Sequence, residues 1–240
     1  LAAMGHNTPD YIHLIVESLD LAFADRDAFF GDPNMIDVPL KGLLSTEYTT
    51  ERRHQLDMTK SFTRMPDAGD PWKFEGRSAP ADYTYQRPEP IAAGTEPDTS
   101  YVCVVDRWGN AFSATPSDTL SMAPVVPGLG FTPSGRGSQN WLQDGHPSRL
   151  EPGKRPRLTP NPAIALKDGE LLMPFGTPGG DAQPQTMLQV FLNIAAFGMN
   201  AQEAIEAPRF QSTQEQLGGS PHHSSLPGRT RPSAPQLRAA

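Results

Sequence analysis

Residues 97–110 read Pro-Asp-Thr-Ser-Tyr-Val-Cys-Val-Val-Asp-Arg-Trp-Gly-Asn, and no other stretch constrains the fold as tightly. Val102, Cys103, Val104 and Val105 form a short apolar, mostly β-branched run, which predicts a buried strand. Residues 106–110 predict a turn in which Gly109 is free to take a positive φ. Residues 111–115 resume as a second strand, so the segment predicts a hairpin with Thr99 where its first strand begins. Strands favour threonine, so an ordinary strand hydroxyl is one reading of Thr99. The other is an N-terminal nucleophile. A threonine hydroxyl attacks poorly at neutral pH without an adjacent base, and its own α-amine serves once the preceding peptide bond is cut. On that reading the chain cuts its own Asp98–Thr99 bond.

Composition narrows the classes. The chain has 240 residues and a formal net charge of -7, enough for one large domain or two small ones. The acidic balance, with a pI of 5.3, argues against a nucleic-acid partner. With 26 prolines and 21 glycines the fold is expected to be rich in turns. The single cysteine, Cys103, excludes an internal disulfide and a Cys-rich metal site, and its place in a Val-rich run predicts a buried thiol. No apolar run approaches the ~20 residues that cross a bilayer. His222 and His223 lack a third ligand at metal spacing and read as surface histidines. No metal, nucleotide or haem cofactor is implied.

Taken in order, Thr8 and Pro9 predict a helix N-cap and first helical position. Tyr11, Ile15, Leu19, Ala22 and Phe23 recur at helical spacing, with Glu17, Asp20 and Asp25 off that face. The cluster 31–34 should end the helix. A shorter helix follows with Ser45 as its cap and an exposed run 51–54. Residues ~60–98 are proline-rich and polar, a linker by composition, with Trp72 and Phe74 as anchors. Residues 161–175 predict a second hairpin closed by Asp168-Gly169. Residues 185–197 predict a helix burying Met187, Leu188, Val190, Phe191, Leu192 and Ile194, and residues 201–206 a short one. Helices, then hairpins, then helices give an α+β class.

Two further places can carry chemistry. Thr115 and Ser117 share one strand face, because side chains alternate. The run Gly176-Thr177-Pro178-Gly179-Gly180-Asp181 precedes a helix but lacks the Gly-Lys-Ser/Thr ending of a phosphate-binding loop. It reads instead as an oxyanion hole, where the bare backbone N–H groups of Gly179 and Gly180 approach a tetrahedral intermediate beside a helix N-terminus.

The block Asp98-Thr99-Ser100-Tyr101-x-Cys103-Val104-Val105-Asp106-x-x-Gly109-Asn110 resembles the cleavage-site block of the γ-glutamyltranspeptidase family, typically Asp/Gln-Thr-Thr-His-x-Ser-Val-x-Asp-x-x-Gly-Asn. Four other blocks resemble the family in the same order: residues 17–26, 152–156, 176–181 and 203–210. Together they cover residues ~10 to ~228.

The resemblance implies a four-layer αββα sandwich of the N-terminal-nucleophile hydrolase type, here incomplete at both ends. It implies that residues 1–98 are the C-terminal part of a large-subunit portion and 99–240 a truncated small-subunit portion. The two cleavage products would stay associated around a small-molecule amide substrate. It casts Thr99 as nucleophile, Ser117 as the hydroxyl that orients it, and Gly179 and Gly180 as the oxyanion pair. Around the substrate it casts Arg136, Gln139, Thr159 and Thr119. The last four mark departures. Thr119 stands where the family often has Asn, and Leu158-Thr159 keep one hydroxyl of a Ser pair. Gln139 stands at or near an acidic residue that grips the substrate's α-ammonium. A neutral amide and a guanidinium cannot replace a carboxylate in that role, whereas Arg136 can hold a carboxylate. The expected activity is acyl transfer or hydrolysis on γ-glutamyl amides such as glutathione. A related acylase on another amide, or a non-catalytic fragment, are the alternatives.

Overall fold

The computed structural model describes residues 1–87, 99–117, 124–212 and 238–239. Asp98, Thr119, His222 and His223, named above, lie outside the described residues. The chain packs as two units. One comprises Leu1–Ala93, Gly137–Arg157 and Ser212–Arg238; the other comprises Gly94–Arg136, Leu158–Gln211 and the last two residues.

The first unit is built on helix α1, Pro9–Phe29. Thr8 caps it, its hydroxyl accepting from the Tyr11 N–H at 3.3 Å. Helix α2, Leu40–Leu43, and helix α3, Thr46–Arg53, follow, the latter capped by Ser45. Phe29 meets Trp72 edge-on with ring centroids 5.0 Å apart, and Trp72 meets Tyr83 at 4.5 Å. This aromatic cluster fastens the proline-rich stretch to the end of α1.

Three charged positions read as outward-facing on α1 are buried instead: Glu17, Asp20 and Asp25. Backbone that lacks secondary structure supplies the reason for two of them. Glu17 accepts the Phe62 N–H at 2.9 Å, and Asp25 accepts the Gly69 N–H at 3.0 Å. Arg52, expected on an exposed run, is buried as well. It lies 3.2 Å from Asp25 and donates to the carbonyls of Leu21 and Asp67. The Phe62 and Gly69 amides and the Asp67 carbonyl lie outside helices and strands, and these side chains satisfy them, while Arg52 also ties α3 to the Leu21 carbonyl within α1. Asp20 is fully enclosed; burial first, then the Glu17 charge, push its carboxyl up to about 7, against the pull of the Ser212 hydroxyl.

In the same unit Asp32 accepts three bonds from Arg155, from its backbone N–H and Nε at 3.0 Å and from Nη2 at 2.6 Å. These bonds hold the Asp32 carboxyl well below the usual carboxylate range.

The second unit carries two hairpins. Strand β1, Val102–Val105, pairs antiparallel with β2, Ala111–Ala114; β3, Ala163–Lys167, pairs antiparallel with β4, Glu170–Phe175. Both central residues of the second turn are left-handed, Asp168 at φ 53° and Gly169 at φ 85°. That geometry matches the twist of the strands it joins. β1 and β2 lie against β4.

The expectation of a buried first strand is corrected here. Val102, Val104, Val105 and Cys103 are exposed. Val102 and Val104 point to one side of the hairpin and Cys103 and Val105 to the other, and among the described residues each strand has a single ladder partner.

Helix α4, Ala182–Ala195, leads to α5, Ala201–Glu206, which carries a reciprocal cap between Asn200 and Glu203. On α4 the most buried residues are Gln183, Gln185, Met187, Gln189 and Asn193, while Leu188, Val190, Phe191, Leu192 and Ile194 are half-buried, another correction. The amides go inside because backbone needs them. Gln189 donates to the Phe210 carbonyl at 2.8 Å and accepts its N–H at 3.1 Å, as a neighbouring strand would. Asn193 donates to the Ala204 carbonyl at 3.2 Å. No helix among the described residues is long and apolar enough to cross a membrane.

Candidate active site

The hairpin register continues beyond the ladder. Val102 faces Ala114 and Cys103 faces Ser113; the Ser100 N–H then donates to the Pro116 carbonyl at 2.9 Å. Thr99 therefore sits opposite Ser117, and Tyr101 opposite Thr115. Such non-hydrogen-bonded positions bring side chains closest together. The Thr99 and Ser117 hydroxyl oxygens are 2.6 Å apart, a short hydrogen bond between two buried groups.

Alternation then gives the hairpin one hydroxyl-bearing face of Thr99, Tyr101, Ser113, Thr115 and Ser117. The Tyr101 hydroxyl is 3.0 Å from that of Ser113. Thr115 is buried, its hydroxyl without a hydrogen-bond partner among the described residues.

Arg136 reaches the same place from a single 3₁₀ turn, Arg136–Gln139. Only 4% of its surface is exposed. It donates to the Ser117 carbonyl and, through Nη1, to the Thr159 hydroxyl at 3.1 Å. One hydrogen-bonded chain thus runs Thr99–Ser117–Arg136–Thr159. Four residues named from sequence are brought together across 60 positions of chain. Gln139 is buried too, but belongs to the first unit.

Gly179 and Gly180 stand just before α4 with φ of 122° and 55°, backbone that a side chain would strain. Their carbonyls accept from the N–H groups of Ala182 and Gln183 at 2.9 and 3.2 Å. Their own N–H groups have no acceptor among the described residues. Two amides at a helix start are therefore available to a developing negative charge, and the helix field favours it.

Sequence reading missed how this loop is tied to the hairpin. A Cβ on Gly176 would fall 2.4 Å from the Tyr101 ring, so the loop's first residue packs directly against that ring. The Ser113 hydroxyl points to the Phe175 carbonyl at 3.5 Å. Tyr101 could have been flagged by strand alternation alone, as the next residue on the face of Thr99.

A buried hydroxyl pair, a buried guanidinium and two open amides are groups that acyl transfer can use, and comparison with known proteins supplies the family. A family model for gamma-glutamyltranspeptidase matches residues 1–222. The glutathione hydrolase proenzyme of Bacillus subtilis subsp. natto is 32% identical over 202 residues, 83% of this chain and 34% of that protein. Among solved structures, LmbA2991HD is 41% identical with a TM-score of 0.69, covering 85% of this chain and 35% of that one. Cephalosporin acylase from Bacillus halodurans is 31% identical with a TM-score of 0.65, covering 85% and 33%. The chain spans about a third of the length of the relatives it matches. The order of the blocks, the geometry around Thr99 and these matches agree: the chain belongs to the γ-glutamyltranspeptidase family.

Proposed function

We propose that the full-length protein is an N-terminal-nucleophile amide hydrolase or acyltransferase that cuts its own chain before Thr99 and then uses Thr99 as nucleophile. The observation that carries this is the 2.6 Å contact between the buried Thr99 and Ser117 hydroxyls. Cleavage frees the Thr99 α-amine, which takes the proton from Oγ1 as that oxygen attacks an amide carbonyl. The oxyanion is received by the N–H groups of Gly179 and Gly180; one such donor is typically worth about 3 kcal/mol of barrier. Collapse breaks the C–N bond, and the α-ammonium returns its proton to the departing amine. Water or a second amine then opens the acyl ester on Thr99, giving hydrolysis or transfer. Ser117 keeps the nucleophile oriented, and Arg136 holds Ser117 in place through its carbonyl.

By family, the substrates are γ-glutamyl amides such as glutathione, with Arg136, Gln139, Thr159 and Thr119 around the acyl group. A second reading is favoured by the buried Arg136–Thr159 contact, where a substrate carboxylate can be met but an α-ammonium cannot. On it the substrate is a different acyl amide, as the similarity to cephalosporin acylase also suggests. Paired assays on γ-glutamyl- and glutaryl-p-nitroanilide decide. Turnover of the first alone supports glutathione-like substrates, turnover of the second alone the acylase reading, and turnover of neither sinks both.

Residues 1–98 and 99–240 are then the parts of a large and a small subunit within a four-layer αββα sandwich. Their association after cleavage is supported by the first unit, which is assembled from both sides of the proposed cut.

A further inference from the structure

Three glycines stand in the loop 176–181, and two of them are explained by left-handed backbone. Gly176 is not, because its φ is not in the positive range. What it needs is space: a Cβ there would lie 2.4 and 2.5 Å from two atoms of the Tyr101 ring and 3.1 Å from a third. The ring belongs to the residue two places after Thr99, on the same face of the same hairpin. Its hydroxyl is anchored to Ser113, and the Ser113 hydroxyl points on to the Phe175 carbonyl at 3.5 Å, next to Gly176. The aromatic ring is thus a rigid spacer between the strand that carries Thr99 and the loop that carries Gly179 and Gly180.

We propose that Tyr101 is a positioning residue that sets the distance between the Thr99 hydroxyl and the Gly179–Gly180 amides. The proposal rests on the assignment of those amides as oxyanion donors. It fits the chain's departure at this position, where Tyr101 stands in place of the histidine typical of the resembled block. The ring is planar and stiff, so it transmits displacement rather than absorbing it. A Gly176→Ala side chain at 2.4 Å must move the loop or the ring by roughly 1 Å to reach ordinary contact. A misplacement of that size costs about 100-fold in rate.

The test uses the full-length gene product with Gly176→Ala, Tyr101→Ala and the double substitution. Each single change is expected to lower kcat about 100-fold on whichever anilide the wild type turns over, with KM unchanged within about twofold. The double variant is expected to lose no more than the worse single, because spacer and clash act on one coordinate. Losses that multiply, or melting shifts with kcat intact, overturn the proposal. Hydrogen exchange of the peptide covering 176–181 gives a readout free of catalysis. Faster exchange there in Tyr101→Ala is expected, and unchanged exchange overturns the proposal. A wild type that turns over nothing defeats the functional reading alone, since the exchange measurement still judges the spacer.

Discussion

Ser117→Ala tests the site most finely, because it deletes one oxygen and leaves the strand in place. That oxygen lies 2.6 Å from the Thr99 hydroxyl, and both residues are more than 90% buried. A buried hydrogen bond of this kind is worth about 1 kcal/mol net, with a further 1–2 kcal/mol when its loss leaves a partner poorly satisfied. The stability effect is therefore about 1–3 kcal/mol, a melting shift of roughly 2–10 °C. The catalytic effect goes further if Ser117 fixes the Thr99 oxygen along its line of attack. A loss of about 1.5–3 kcal/mol in the transition state is roughly 10- to 150-fold in kcat. KM should stay within about twofold, because the interaction is with the nucleophile and not the substrate. Ser117→Thr, which restores the hydroxyl, should recover most of the rate. The assay is steady-state release of p-nitroaniline beside a gel assay of chain cleavage. A kcat for Ser117→Ala within about threefold of wild type, or a loss confined to KM, would refute the orienting role.

Three other outcomes are expected. Gly180→Ala places a side chain at φ 55° and shifts one oxyanion donor, so kcat should fall about 100- to 1,000-fold while the chain still folds; normal kcat removes Gly180 from the oxyanion pair. Asp20 titrates near 7 when folded and near 3.8 when unfolded, so the folded state holds the proton more tightly and stability falls as pH rises from about 4 to 7. Asp20→Asn should flatten that slope and gain up to about 4 kcal/mol at pH 8 in urea melts, and an unchanged slope would place the penalty elsewhere. Asp32 and Arg155 lie on opposite sides of the proposed cut within one packed unit. Asp32→Asn should therefore let the two products separate at lower urea on gel filtration, whereas co-elution identical to wild type would assign the association to other contacts.

Much of this was legible in the sequence, for identifiable reasons. Local signals carried far: the Thr8–Pro9 start, the Ser45 cap and the Asp168-Gly169 turn each depend on a few neighbouring atoms, and each stands where the residues predict. The contact of Ser117 with Thr99 was expected from the resemblance alone, and the register of the hairpin shows how the fold makes it. What local pattern misjudged was which faces are covered. The Val-rich strand is exposed because burial of a strand depends on a layer laid over it, and hydropathy cannot say whether one is there. Gln189 and Asn193 are buried, and Glu17, Asp25 and Arg52 with them, because backbone groups of other segments take up their hydrogen bonds. A helical-wheel reading assigns polar residues to water and has no means of knowing that demand. The contact of Tyr101 with Gly176 was likewise hidden, since it joins residues 75 positions apart whose glycine has no local reason to be one.

The most direct test of the central claim is the intact mass and N-terminal sequence of the purified full-length gene product beside its Thr99→Ala variant. Two chains in the wild type, one beginning Thr99-Ser100-Tyr101, and a single uncut chain in the variant are the predicted result. A wild type that stays uncut, or a variant that is cut at the same bond, contradicts it.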